Sequence, residues 1–226
     1  MQGATGMAVR PKVLVLASQK GGVGKTSLSA HLAVEAEQAG FGPVVIYDTD
    51  PQQSLGRWFL DREAASPKLA KGGVAELPPT LDRLGAAGVR LVVVDTPPAL
   101  TEAMRAVLAF ADFVLIPTQD GKADLAAVGD TVRLVRSMEK PFAFALNGVK
   151  KGTTQATEAA MVLSKHGALA GVIAHRMAVK VAWNDGRTAG EIEAKGKAAE
   201  EIRTLWAYVA AEIGLATARK KEKAYA

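Results

Sequence analysis

The stretch Gln19-Lys20-Gly21-Gly22-Val23-Gly24-Lys25-Thr26 constrains this chain more than any other, because of what lies on either side of it. A short aliphatic run, residues 13–17, precedes it, and a helix-length stretch, residues 25–39, follows. Glycines at 21, 22 and 24 leave the backbone free to turn successive N–H groups inward. A helix that starts where the turn ends adds its partial positive charge at the same point. Strand, glycine turn and helix in this order form a cradle for phosphate oxygens. Lys25 can reach the β- and γ-phosphates of a nucleotide, and the Thr26 hydroxyl can ligate Mg²⁺. The expected ATP-binding residues here are Lys20, Gly21, Gly22, Val23, Gly24, Lys25, Thr26 and Ser27.

Further aliphatic runs occupy residues 44–47, 91–94, 113–116, 142–146 and 169–174. They read as nearly continuous hydrophobics, the pattern of strands covered on both faces. Helix-length stretches alternate with them at 52–63, 81–87, 101–109, 123–137 and 155–165. The alternation predicts an α/β fold, doubly wound, with a mainly parallel sheet and helices on both faces. A weak strand is expected at 74–77, and one long helix at 190–213. In that helix Ile202, Leu205, Trp206, Val209 and Ile213 recur at three- and four-residue spacing, a stripe suited to packing on a sheet. One domain is expected over 12–215, with an N-terminal extension at 1–11 and a basic tail at 216–226.

Composition removes several chemistries. The 226 residues include no cysteine, so disulfides, thiolate metal sites and cysteine nucleophiles are out. His31, His166 and His175 have no ligand spacing among themselves, which argues against zinc. No apolar run approaches the ~20 residues of a spanning helix, and the first residues lack the layout of a signal peptide. A soluble, cytoplasmic protein is expected. Charge is uneven: residues 1–139 carry 14 Lys and Arg against 15 Asp and Glu, whereas residues 140–226 carry 14 against 8. A basic C-terminal part points to an anionic partner.

Two aspartate segments complete the pattern. Tyr47-Asp48-Thr49-Asp50-Pro51-Gln52 follows the second aliphatic run, and Leu91-Val92-Val93-Val94-Asp95-Thr96-Pro97-Pro98 ends the third in an aspartate. An aspartate closing a buried strand stands where it can hold a water on Mg²⁺. The loop with its additional lysine, Lys20, and both segments in chain order resemble the deviant Walker A family of ATPases, the ParA/MinD group. The run from Asp48 to Trp58 and the short length are similar to small ParA proteins of the ParF kind.

The resemblance implies roles residue by residue. Lys20 would cross a dimer interface to the partner's nucleotide, Lys25 would hold phosphate, and Asp50 would orient the attacking water, so Lys20, Lys25 and Asp50 are the expected catalytic residues. Thr26, Asp50 and Asp95 would hold the metal with its waters, and Asn147 would meet the adenine edge. Asp48 is given a supporting role, and Gln119 and Asp120 are read either as contacts or as plain loop. Arg176, with Lys180 nearby, would contact DNA, and the basic cluster 219–223 is the rival DNA contact. The implied protein is an ATP hydrolase with ATP and Mg²⁺ as cofactors, forming an ATP-dependent homodimer on non-specific double-stranded DNA at the nucleoid. It would partition plasmid or chromosomal DNA with a ParB-like adaptor. A MinD-like membrane-associated regulator and a ParA-like positioner of protein clusters are the alternatives, and no membrane partner is expected.

Overall fold

Strands that are apolar on both faces need two helical layers, and the alternating helices supply them. The computed structural model describes residues 10–99 and 101–215. Its strands are β1 (Lys12–Leu16), β2 (Val44–Asp48), β3 (Lys68–Ala70), β4 (Leu91–Asp95), β5 (Phe113–Thr118), β6 (Phe142–Val149) and β7 (Ala168–Ala174). The helices are α1 (Lys25–Gln38), α2 (Ser54–Leu60), α3 (Leu77–Ala86), α4 (Glu102–Ala109), α5 (Lys122–Ser137), α6 (Thr154–Ser164), α7 (Met177–Asn184), α8 (Ala189–Ile192) and α9 (Lys197–Glu212). All seven strands are parallel, in the order β3-β2-β4-β1-β5-β6-β7. This is the doubly wound α/β architecture expected from the alternation.

Successive residues of a strand face opposite sides, so one run feeds two cores. Val13, Val15, Val45, Tyr47, Val92 and Val94 pack beneath residues of α3, α4, α5 and α6. Leu14, Leu16, Ile46 and Val93 pack on the other face against α1, α2 and α9. Residues such as Leu14 and Val93 are fully buried, and truncating one to Ala typically costs about 2–5 kcal/mol. The stripe Ile202, Leu205, Trp206, Val209 and Ile213 joins this second core, as its spacing suggests.

Three expectations about local structure are corrected. The strand expected at 74–77 is instead β3, a short edge strand in which Leu69 registers with Ile46. Pro78 and Pro79 sit in the first turn of α3, where a missing N–H costs nothing, so the helix starts at Leu77. The long helix expected at 190–213 is two helices, with the chain leaving helical geometry at Glu193 and Gly196 capping the start of α9. Finally, α2 is shorter than the expected 52–63, because Gln53 takes a left-handed conformation just before it. Of the expected outer segments, 1–9 and 216–226 lie outside the described residues, including the basic cluster 219–223.

Candidate functional site

The strand order reverses at β1, which lies between β4 and β5, and the crevice at the carboxyl ends of such strands is where doubly wound folds bind ligands. The loop leaving β1 fills this point. Gly22 (φ 79°) and Gly24 (φ 93°) are left-handed, a conformation glycine adopts without penalty. A side chain at Gly24 would also collide with the Asn147 amide. That amide donates from Nδ2 to the Val23 carbonyl (2.9 Å), so Asn147 props the loop from β6. Beside it the β6–β7 register slips and Gly148 turns to φ 69°.

Lys25 opens α1 and is almost fully buried, its ammonium donating to the Lys20 carbonyl at 3.1 Å. Burial pushes its pKa down, while the carboxylates of Asp95 and Asp50 act the other way. Thr26 and Ser27 follow on the first turn of α1, half-buried.

The aspartates converge on the same crevice because β2 and β4 end in register, Asp48 opposite Asp95. Asp48 organises the chain after β2: Oδ1 accepts from the Asp50 N–H and Oδ2 from the Gly56 N–H, each at 3.0 Å. Asp50 accepts from the Gln52 N–H (2.9 Å), forming a turn directly ahead of α2. Thr49 donates its hydroxyl to the Asp95 carbonyl (2.7 Å), and Thr96 does the same to Leu16 (2.7 Å), stitching the strand ends together.

Asp95 itself has no exposed surface, and neither carboxylate oxygen has a hydrogen-bond partner. Burial, reinforced by Asp48 and Asp50, pushes its pKa up to about 7, against the influence of the Thr26 hydroxyl and of Lys25. A buried carboxylate with both oxygens unpartnered is costly by itself, and a cation beside it removes the cost. The donors at hand are hard oxygens from Thr26, Asp50 and Asp95, a set suited to Mg²⁺, which keeps waters and takes few protein ligands beside a phosphate. Among the described residues no group of three or more His, Asp or Glu forms a metal site by itself.

Lys20 turns onto its own chain. Its ammonium lies 2.6 Å from Asp124 Oδ1, at ion-pair distance but without hydrogen-bond alignment. The neighbouring Gln19 N–H donates to the Thr131 hydroxyl at 3.2 Å. Asp124 in the first turn of α5 and Thr131 two turns further along the same face therefore shape the loop's entry. Sequence reasoning passed over both, although an acidic residue three positions after Gly121 is an ordinary helix-start signal.

A cleft of about 360 Å³ extends from the loop, bounded by Ser27, Gln119, Asn147, His175, Val179 and Lys180. Asn147, the residue expected on the adenine edge, lines it while also bracing the loop. Arg176, also on this cleft, donates to Glu201 Oε1 at 2.8 Å, and Lys151 reaches the same oxygen at 2.7 Å. Burial works against the Glu201 carboxylate, but Arg176, Lys151 and the Ala174 N–H together hold its pKa below the usual range. The charge of Arg176 is thus largely spent within the fold. Lys180 is exposed and makes no ion pair among the described residues. Glu201 carried no signal in the sequence. His31, dismissed as a zinc ligand, is fully enclosed: it donates from Nδ1 to the Ser27 carbonyl (2.8 Å), and its Nε2 accepts from the Ala189 N–H (3.1 Å).

Comparison with known proteins agrees with this geometry. The profile described as the CobQ/CobB/MinD/ParA nucleotide binding domain matches residues 14–189. The chain is 40% identical over 125 residues to "Maintenance of carboxysome distribution protein A" of Gloeobacter kilaueensis, covering 54% of this chain and 56% of that protein. It is 29% identical over 130 residues to "Protein ParA" of Rhizobium radiobacter, covering 57% and 58%. The chain thus spans little more than half the length of these relatives. Among solved structures, MinD of Pyrococcus horikoshii with Mg-ADP superposes with a TM-score of 0.73 at 15% identity, covering 88% of this chain and 96% of that one. An apo McdA structure gives 0.74 at 18%, covering 88% and 99%. A profile that matches most of the chain, laid over a parallel sheet whose central strand β1 leads into the glycine loop, makes this protein a member of the ParA/MinD family of P-loop ATPases.

Proposed function

We propose that the chain is a positioning ATPase of the ParA type, which binds ATP with Mg²⁺, dimerises through it, and uses hydrolysis to release the dimer. The observation that carries this reading is Asp95, fully buried with two unpartnered oxygens beside Thr26, Lys25 and Asp50. Such a constellation has little purpose without a cation and a phosphate. Mg²⁺ held near Thr26, Asp50 and Asp95 would neutralise phosphate charge, while Lys25 and the loop N–H groups orient the γ-phosphate and Asp50 orients a water for in-line attack.

Lys20 supports the dimer reading. Among the described residues its ion-pair partner is Asp124, and a lysine with more than a third of its side chain exposed beside the loop can exchange that partner for a second nucleotide. Lys20→Ala is expected to keep nucleotide affinity but to lose ATP-dependent dimerisation, with stimulated turnover falling by up to about 10³-fold. Light scattering with Mg-ATP, alongside phosphate release with and without Mg²⁺, checks both parts. An unaltered dimer and normal turnover would remove the role in trans, and hydrolysis indifferent to Mg²⁺ would remove the metal assignment.

For the cargo, the relative at 40% identity is named for carboxysome distribution and the one at 29% for ParA. This favours distribution of a protein assembly along DNA over partition of a replicon, with DNA partition as the second reading. Both use non-specific duplex DNA as the track and an adaptor on the cargo, so biochemistry of the chain alone does not separate them. Deleting the gene and scoring cells for clumped protein assemblies against lost replicons does. DNA loss with normal assemblies would leave partition standing.

A further inference from the structure

The segment linking α7 to α8 is gripped from two directions. Arg62, just beyond the end of α2, has only 2% of its side chain exposed. Its guanidinium donates to Glu191 through both terminal nitrogens (2.6 and 2.9 Å), to the Gly186 carbonyl (3.1 Å), and twice to the Ser66 carbonyl (2.9 and 2.6 Å). A fork using all three nitrogens fixes direction as well as distance. The guanidinium also lies 5.2 Å from the centre of the Trp58 ring, which stacks on Trp183 of α7 at 5.8 Å. Trp58 donates to the Arg187 carbonyl at 3.3 Å. From the other side, His31 of α1 accepts from the Ala189 N–H.

These contacts join elements with different duties. The N-terminal end of α2 continues directly from Asp50 and is tied to Asp48 through Gly56. Its C-terminal end is tied by Trp58 and Arg62 to the segment 183–191. α7 begins at the rim of the nucleotide cleft and presents Met177 (62% exposed), Lys180 and Val181 (50% exposed) outward. A displacement at the Asp50 turn that moves α2 as a body has to strain the Arg62–Glu191 pair or carry α8 and the connected end of α7 with it. The pair is short, forked and buried, so it holds.

We propose that Arg62 and Glu191 form a clasp that makes α8, and α7 through the short segment joined to it, move with α2, so that the outer face of α7 responds to what is bound at the phosphate loop. This rests on the nucleotide-binding reading above. The clasp touches neither phosphate nor water; Arg62 and Glu191 are positioning residues.

Hydrogen exchange read by mass spectrometry tests it, with the full chain, Mg²⁺ and a non-hydrolysable ATP analogue. Removing one partner alone would strand a buried charge. The double variant Arg62→Met/Glu191→Gln avoids this and keeps a capping glutamine for the Thr188 turn. In the wild type, the analogue is expected to slow exchange in residues 20–26 and to change exchange in residues 177–184 by about 5-fold or more. In the double variant the first response and the analogue's affinity stay, and the second is lost; Arg62→Lys, which keeps charge without the fork, falls between. Retention of the full α7 response in the double variant overturns the clasp, since the nucleotide then acts on α7 by direct contact or through the Trp58–Trp183 stack. A wild-type α7 that ignores the analogue while residues 20–26 respond overturns it as well. Failure of residues 20–26 to respond at all removes the nucleotide reading itself, and the clasp with it. If the double variant does not fold, Arg62→Lys decides by the same criteria, a wild-type α7 response in it overturning the proposal.

Discussion

The strand-end corner around Lys25 and the α7–α8 cover lie on the same nucleotide crevice but are built by different means. At the corner, two of the functional groups are held by backbone atoms or side chains close in sequence: Lys25 by the Lys20 carbonyl, Asp50 through Asp48 and Gln52. In the cover, the anchors are side-chain pairs joined across the fold, such as Arg62 with Glu191 and Arg176 with Glu201. The corner is set by strand register and turn chemistry, which any sequence with these residues reproduces. The cover depends on partners whose spacing follows no local rule. On the reading proposed above, the corner would bind and cleave nucleotide, and the cover would carry its state to the rest of the molecule.

The largest effect expected from breaking the corner alone is on hydrolysis. Asp50→Ala should bind ATP and slow its cleavage by ~10²–10⁴, the usual cost of losing a group that positions a reacting water. Single-turnover measurements check this, and wild-type cleavage would pass the role to Asp48 or Asp95. Lys25→Ala should weaken nucleotide binding by on the order of 10²-fold, since a charged hydrogen bond to phosphate contributes up to ~3 kcal/mol. Calorimetry showing affinity within a few-fold of wild type would displace the loop from its assigned duty.

Asp95 sharpens the contrast through pH. Its folded pKa of about 7 lies above the ordinary carboxylate value, so the folded chain keeps a proton that the unfolded chain releases near pH 4. Without nucleotide, this group's contribution favours folding fully at low pH, declines as pH rises from about 4 to about 7, and is gone above that. Asp95→Asn, uncharged throughout, should flatten the decline and stabilise the empty chain at pH 8 by on the order of 1–3 kcal/mol. Thermal melts at pH 5 and pH 8 test the sign. A variant less stable than wild type at pH 8 would show that the buried carboxylate is paired after all.

The smallest expected effect concerns the cover. Because Arg176 is engaged by Glu201 and Lys180 makes no ion pair among the described residues, Lys180→Gln should weaken ATP-dependent DNA binding more than Arg176→Gln does. It should also lower the salt slope of that binding by about one contact per chain. Equal losses from both variants would mean that DNA draws Arg176 away from Glu201.

By itself the sequence determined the sheet, the glycine loop, and the strand ends that carry Asp48, Asp50 and Asp95. Burial on both faces writes itself as unbroken aliphatic runs, and a phosphate cradle demands glycines at fixed positions. It misread residues 190–213 as one helix, because the apolar stripe gives no sign of the break at Glu193 and Gly196 between α8 and α9. It misplaced β3 as well, because a three-residue edge strand has too few residues to show alternation. Only the tertiary structure decided that Lys20 rests on Asp124, that Arg176 is bound to Glu201, and that Arg62 fastens α2 to α8. Such pairs join residues 25 to 129 positions apart, and a charge reveals its partner only once the chain has brought the two together out of water.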